Sequence, residues 1–285
     1  MDLKRRDAMK IMGASAAAAA LPAQASGHTP AVPLDLQSPE ERLRTFMLIR
    51  HALDERVVVN WAKARYFGMV GDEMTPLFGV VSVVLTQSRP IAGSGYRSVS
   101  YELGYFTDHE GTTVIDTFDN PYTGETVTIP DGGYPPAVVL ISADLEQRLE
   151  KPIPGMTLDH HISPLYQSDG QIWMTERVQS EALFPGAPKP FRYNDVSTYH
   201  ASAEALADPE AKQVPSLVGY SNVVGWRPWL KMPADHPGHL SAFGSGRTGS
   251  RFAEVPKAWI DRAKVRRPEL LQDPGAFLKS AWGDS

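Results

Sequence analysis

Tyr96-Arg97-Ser98-Val99-Ser100-Tyr101-Glu102-Leu103-Gly104-Tyr105-Phe106 alternates cleanly: Val99, Tyr101, Leu103 and Tyr105 share one face, and Ser98, Ser100, Glu102 and Gly104 share the other. A period of two over this length specifies a strand with one apolar and one polar side. Asp108-His109-Glu110-Gly111 supplies turn residues, and the β-branched run Thr112 to Phe118 reads as the returning strand. Asn120-Pro121-Tyr122-Thr123-Gly124-Glu125 is a second turn, with proline fixing its own φ and glycine accepting positive φ. Thr126 to Ile129 begins a third strand, so residues 96–130 are expected to form an antiparallel meander.

Further strands follow the same signals on both sides. Val57 to Ala64 and Phe78 to Gln87 are strand-like, and Val80 to Leu85 is apolar on both faces, as in a strand covered on two sides. Ala137 to Ile141 is a short strand, and Asp144 to Glu150 reads as one or two helical turns. Met156 to Tyr166 and Gln171 to Leu183 form a hairpin across Gln167-Ser168-Asp169-Gly170. Phe191 to His200, Leu217 to Trp229 and His239 to Gly244 complete about ten strands. Ala201 to Ala207 is a short helix ended by Asp208-Pro209. Helices stand at both ends: Ser38 caps one that starts at Pro39 and runs to about Leu53, acting as a plug or lid, and Val255 to Lys264 and Pro274 to Trp282 form the others. With 24 prolines and 23 glycines marking turns, the chain is expected to be mainly β, an antiparallel calycin-like β-barrel around a cavity.

Residues 1–25 read as a separate segment. Lys4-Arg5-Arg6-Asp7-Ala8-Met9-Lys10 is basic with paired arginines, Ile11 to Leu21 is a weakly apolar alanine-rich run, and Ala23-Gln24-Ala25 is a small-x-small cleavage site. This resembles a twin-arginine export signal, which makes the export machinery a partner and the periplasm or exterior the destination. Residues 26–37 are expected to be a disordered lead-in, and 38–285 one barrel domain. Residues 1–25 hold four Lys/Arg and two Asp, so their removal takes the net charge from −5 to −7, which disfavours nucleic acid as a partner. No later window approaches the roughly 18 apolar residues of a spanning helix, so the chain is not expected to be an integral membrane protein. The absence of cysteine removes thiolate metal ligands, iron–sulfur clusters and a cysteine nucleophile.

Three runs carry a resemblance: Tyr96-Arg97 through Tyr101-Glu102 to Tyr105-Phe106-Thr107-Asp108; Phe118-Asp119-Asn120-Pro121-Tyr122-Thr123-Gly124-Glu125; and Trp226-Arg227-Pro228-Trp229-Leu230-Lys231-Met232 with Gly238-His239-Leu240. Together they resemble the domain-of-unknown-function family numbered 1838, whose members are exported or twin-arginine-signalled bacterial proteins. The resemblance spans roughly Leu43 to Glu254. Phe118 stands where the family pattern has tryptophan, and the chain after Val255 lacks the expected Thr-Trp finish. The family brings no reaction with it.

Chemistry must therefore come from side chains. Asp159-His160-His161 lies on a strand, where neighbours face opposite ways, so one histidine of the pair can enter a cavity as general acid or base. The same parity keeps both from one ion, and no metal or cofactor is expected. Glu102, Asp116 and Glu176-Arg177 are candidates for buried carboxylates with an arginine partner. Glu125 reads as structural, holding loop amides. Trp61, Tyr101, Tyr105, Trp173, Tyr199 and Trp226, with Trp229, would line a cavity for a small hydrophobic or aromatic molecule. Gly93-Ser94-Gly95 and Gly244-Ser245-Gly246 read as flexible turns rather than phosphate loops, and no Gly-x-Ser-x-Gly elbow occurs. The expected activity is a cofactor-independent lyase, hydratase or isomerase using His160 or His161 with Glu102 or Asp116, and Arg177 or a tyrosine as electrostatic support. A non-catalytic carrier of the same ligand is the alternative.

Overall fold

The structure, a computed structural model, describes residues 34–93, 95–130, 132–133, 135–183 and 190–283. The expected export segment lies outside the described residues, as do Ser94 and most of the expected lead-in. Leu34 and Leu36, at the end of that lead-in, pack against the core beneath the first helix.

Helix α1 (Pro39–Arg50) begins as the sequence indicates, with Pro39 in its first turn and the Ser38 hydroxyl accepting from the Glu41 amide. Strands β1 (Val58–Val70), β2 (Glu73–Ile91) and β3 (Gly95–Thr107) are long and antiparallel. They are followed by β4 (Thr117–Asp119), β5 (Thr126–Thr128), β6 (Ala137–Ser142), β7 (Gln147–Leu149), β8 (Met156–Ile162), β9 (Tyr166–Ser168), β10 (Gln171–Ala182) and β11 (Phe191–Ser202). Helix α2 (Ala203–Ala207), β12 (Ser216–Val224), a 3₁₀ turn at Pro228–Leu230 and β13 (His239–Ser250) come next, and α3 (Lys257–Arg266), α4 (Glu269–Gln272) and α5 (Pro274–Lys279) finish the chain.

One sheet carries the molecule, in the order β7-β6-β3-β2-β1-β13-β12-β11-β10-β8, with β9 also paired to β10. Every ladder is antiparallel. The sheet curls into a nearly closed barrel in which β7 and β8, its two ends, share no ladder. Gly244 and Gly246 are not a turn. They lie within β13, where a Cβ would collide with the β1 carbonyls of Lys63 and Trp61, so only glycine permits that close pairing.

The expected meander forms only in part: its second hairpin is present, but the 112–118 run does not pair along β3. β3 pairs with β2 and β6, while residues 112–116 leave the sheet except for a single bridge between Thr107 and Val114. Asp108 holds this excursion, accepting from the Thr112 amide at 2.7 Å and the Thr112 hydroxyl at 2.5 Å. Residues 117–128 form their own hairpin, β4–β5. The expected helical turns at 144–150 are instead the edge strand β7, reached through Leu145 at φ +65°.

Four apolar or polar zones follow from strand parity. Outside, Val81, Val83, Leu85, Val99, Tyr101, Leu103 and Tyr105 are covered by the C-terminal helices through Trp259, Leu270, Leu278 and Trp282. Trp259 Nε1 donates to the Leu103 carbonyl at 2.8 Å, tying α3 to β3. Inside, α1 plugs one end. Its consecutive residues Phe46, Met47, Leu48 and Ile49 are all fully buried, which a helix shows only when it is surrounded. At about 1.5–3 kcal/mol for each such side chain, the plug is a large part of the core. The other end is closed by aromatics, Tyr66, Phe78, Phe106, Phe118 and Trp229, with Leu230 and Leu240. Between plug and aromatic cap lies a belt of inward polar side chains.

Candidate functional site in the barrel lumen

Because Val99, Tyr101, Leu103 and Tyr105 face the helices, the opposite parity of β3 places Ser98, Ser100 and Glu102 toward the lumen. The same logic turns Ser82 inward from β2, Glu176 from β10, and Tyr193, Asp195, Ser197 and Tyr199 from β11. From β12 come Tyr220 and Asn222. Ser82, Tyr193, Asp195, Ser197 and Tyr220 keep partial solvent exposure, and Glu102 is exposed. Inward side chains that retain solvent contact mean that the belt is not packed solid.

The floor of the lumen is charged. Arg50, the last residue of α1, donates from Nε to Glu176 Oε2 at 2.9 Å. His160 Nε2 donates to Glu176 Oε1 at 2.7 Å, and both side chains are almost wholly enclosed. Burial alone would raise the Glu176 carboxyl, but Arg50 and the His160 hydrogen bond outweigh it and hold the group well below the usual carboxylate range. The ionised carboxylate only accepts, so His160 Nε2 carries a proton. His160 Nδ1 is enclosed and has no hydrogen-bond partner among the described residues. The Arg50 guanidinium also lies 5.0 Å from the centre of the Tyr199 ring, and Tyr199 is pushed far up by burial. Next to Arg50, His51 is lowered to about 3 by burial and by the neighbouring guanidinium, and its Nδ1 stands 3.3 Å from the Ser98 hydroxyl.

The wall carries an acidic pair, Glu102 and Asp195. Ser82 Oγ donates to Glu102 Oε1 at 2.6 Å, and Asn222 Nδ2 donates to Asp195 Oδ1 at 2.8 Å. Burial, reinforced by the Glu102 charge, raises Asp195 to about 7 against the opposing pull of the Asn222 hydrogen bond. The hydroxyls of Tyr193 and Tyr220 meet at 3.1 Å beside it, both kept neutral by burial. Arg227 enters from the cap end, donating from Nη2 to the Tyr66 hydroxyl at 3.0 Å.

The structure brings together only part of the expected site. His160, Glu102 and Tyr199 face the lumen. His161 points out and is exposed; Arg177 is on the outer surface, paired with Asp159 at 3.2 Å, because residues 176 and 177 of one strand must face opposite ways. Asp116 lies in the excursion and binds Arg262 of α3 through two hydrogen bonds of 2.5 and 3.0 Å. Among the expected ligand-binding aromatics, Tyr101 packs on Phe277 at 4.7 Å and Tyr105 on Trp259 at 6.0 Å, both under the helices with Trp61. Trp173 stacks on His200 at 4.5 Å, on the face of β10 opposite Glu176. Trp226 belongs to the cap, 5.2 Å from Tyr122. Glu125 is exposed, and the loop amide is held instead by Asn120 Oδ1, which accepts from the Tyr122 amide at 3.0 Å.

The lumen residues absent from the expected set include Arg50, Tyr193, Asp195, Tyr220 and Arg227. For Asp195 a signal existed, since Tyr193, Asp195, Ser197 and Tyr199 alternate with Asn194, Val196, Thr198 and His200. Among the described residues, no group of three or more His, Asp or Glu is placed to hold a metal ion, and no helix is long and apolar enough to cross a membrane. An open groove of about 610 Å³ at the rim, lined by His200, Leu217, Arg247, Arg251 and Glu254 among others, gathers none of the buried ionisable groups.

Comparison with known proteins adds a family but no activity. No curated protein and no solved structure matches the chain. The family match begins after α1, so Arg50 and His51 lie outside it, and it continues past the expected end at Glu254 through the helices that cover β2 and β3. With its model matching residues 54–281, the chain belongs to the family described as "Protein of unknown function (DUF1838)".

Proposed function

We propose that the lumen is the active site of a cofactor-independent enzyme that moves a proton on a small molecule with an apolar or aromatic body, by lyase, hydratase or isomerase chemistry. The observation that carries this reading is the belt itself: Asp195, neighboured by Tyr193 and Tyr220 and acted on by the Glu102 charge, inside a barrel whose inward side chains still meet solvent. A carboxyl group near 7 is ionised often enough to take a proton at neutral pH and basic enough to hold it. The neutral Tyr193 and Tyr220 hydroxyls supply donors for a developing oxyanion. His160 has Nε2 committed to Glu176 and Nδ1 enclosed, so its role is to fix the charged floor while Asp195 carries the proton. Export by the twin-arginine route to the periplasm or beyond belongs to the same proposal and is supported by the paired arginines and cleavage pattern of residues 1–25.

The test is hydrogen exchange in D₂O. A panel of small C–H-acidic carbonyl compounds and enoic acids is incubated with the protein and followed by proton NMR. Wild type is expected to wash deuterium into at least one member, and Asp195→Asn to lower that rate by about 100-fold or more. Binding without exchange by wild type, or full exchange by the variant, would establish a carrier or a different base.

A further inference from the structure

Among the described residues, two arginines reach the lumen, and only one of them has a counter-ion there. Arg50 is matched by Glu176 at 2.9 Å. Arg227 forms no ion pair with a carboxylate among the described residues. Its partners are the Tyr66 hydroxyl and two aromatic faces, Tyr66 at 5.5 Å and Phe106 at 5.1 Å from ring centre to guanidinium carbon. Its Nε is buried without a hydrogen-bond partner. Tyrosines Tyr66, Tyr193 and Tyr220 surround it electrostatically, and all three face the lumen. Ring faces offset part of the cost of removing a guanidinium from water, but an enclosed cation normally also has an anionic partner.

We infer that Arg227, seated on Tyr66 and Phe106, is the anchor for a substrate carboxylate, so that the molecules taken up are small organic acids held head-first at the aromatic end of the lumen. A planar carboxylate matches the guanidinium fork, and the Tyr193 and Tyr220 pair, bonded to each other at 3.1 Å, lies close enough for its charge-sensitive hydroxyls to act on the guanidinium. The body of the acid then extends into the belt, toward Asp195 and Glu102. Arg50 does not compete for this role, because Glu176 already occupies its charge. This deepens the proposed function and rests on it for the lumen being a substrate site, yet binding can be read without turnover.

Affinities are measured by calorimetry for acetate, benzoate and phenylacetate against acetamide, benzamide and phenylacetamide. Wild type is expected to prefer at least one acid over its amide by tenfold or more, about 1.4 kcal/mol. Arg227→Gln abolishes that preference, and Arg177→Gln, on the outer surface, leaves it unchanged. Should the glutamine variant fail to fold, the Arg227 Nε–H resonance of ¹⁵N-labelled wild type gives the answer, shifting with the preferred acid and not with its amide. No acid preference in wild type, preference surviving in Arg227→Gln, or an unmoved resonance would overturn the anchor. Retained acid binding with no deuterium exchange would overturn the acid–base reading alone.

Discussion

At residue scale the most consequential group is Glu176. It is enclosed, ionised and shared between Arg50 and His160, so neutralising it strands the guanidinium without compensation. Glu176→Gln is expected to lose about 3–5 kcal/mol of unfolding free energy at pH 7 in urea denaturation. The pH dependence has a definite sign. The folded Glu176 carboxyl lies below its unfolded value of 4.5, so its contribution is complete above that pH and lost as pH falls. His51, at about 3 folded against 6.5 unfolded, adds stability that starts to fall away once pH drops below 6.5. The variant's deficit should therefore shrink with acidification; a deficit unchanged at pH 3 would show that Glu176 acts through packing.

At the scale of elements, two of the three segments that carried the family resemblance prove to be one device. The β4–β5 turn and the 227–232 loop meet at Asn120, whose Nδ2 donates to the Leu230 carbonyl at 2.8 Å while its Oδ1 accepts from the Tyr122 amide. Asn120 is almost fully buried, so Asn120→Ala leaves both partners unmet and is expected to cost about 2–4 kcal/mol, measured by chemical denaturation. A cost under 0.5 kcal/mol would mean that the cap is held by its aromatics alone. How far sequence reaches is visible here. β3 was legible because alternation is local, and the Asn-Pro turn because Gly124 at φ +71° and the Asn120 side chain enforce it locally. The Thr112–Phe118 run was misread because its β-branched composition says nothing about who pairs with β3, and β6, some thirty residues later, takes that edge. Inside and outside were equally hidden: parity groups Glu102 with Ser98, but only the helices covering Tyr101 and Leu103 reveal which group faces the lumen. Arg50 closes the last turn of α1, where a basic residue is ordinarily favourable at the surface, and its burial appears only once α1 enters the barrel.

For the whole molecule, the layering of apolar plug, polar belt and aromatic cap concentrates ionisable groups where water is scarce yet present. That placement works against stability on one side of neutrality. Asp195 has a folded value of about 7, above its unfolded 3.8, so its neutral form favours the fold below pH 4 and that contribution fades as pH rises through 7. The loss amounts to up to about 4 kcal/mol, a cost that the proposed proton-transfer role of Asp195 would account for. The most direct measurement is the titration of the Asp195 side-chain carboxyl by ¹³C NMR in the intact chain. A midpoint near 7 is expected, whereas a midpoint near 4 would show a solvated carboxylate and contradict the proposed acid–base site in the lumen.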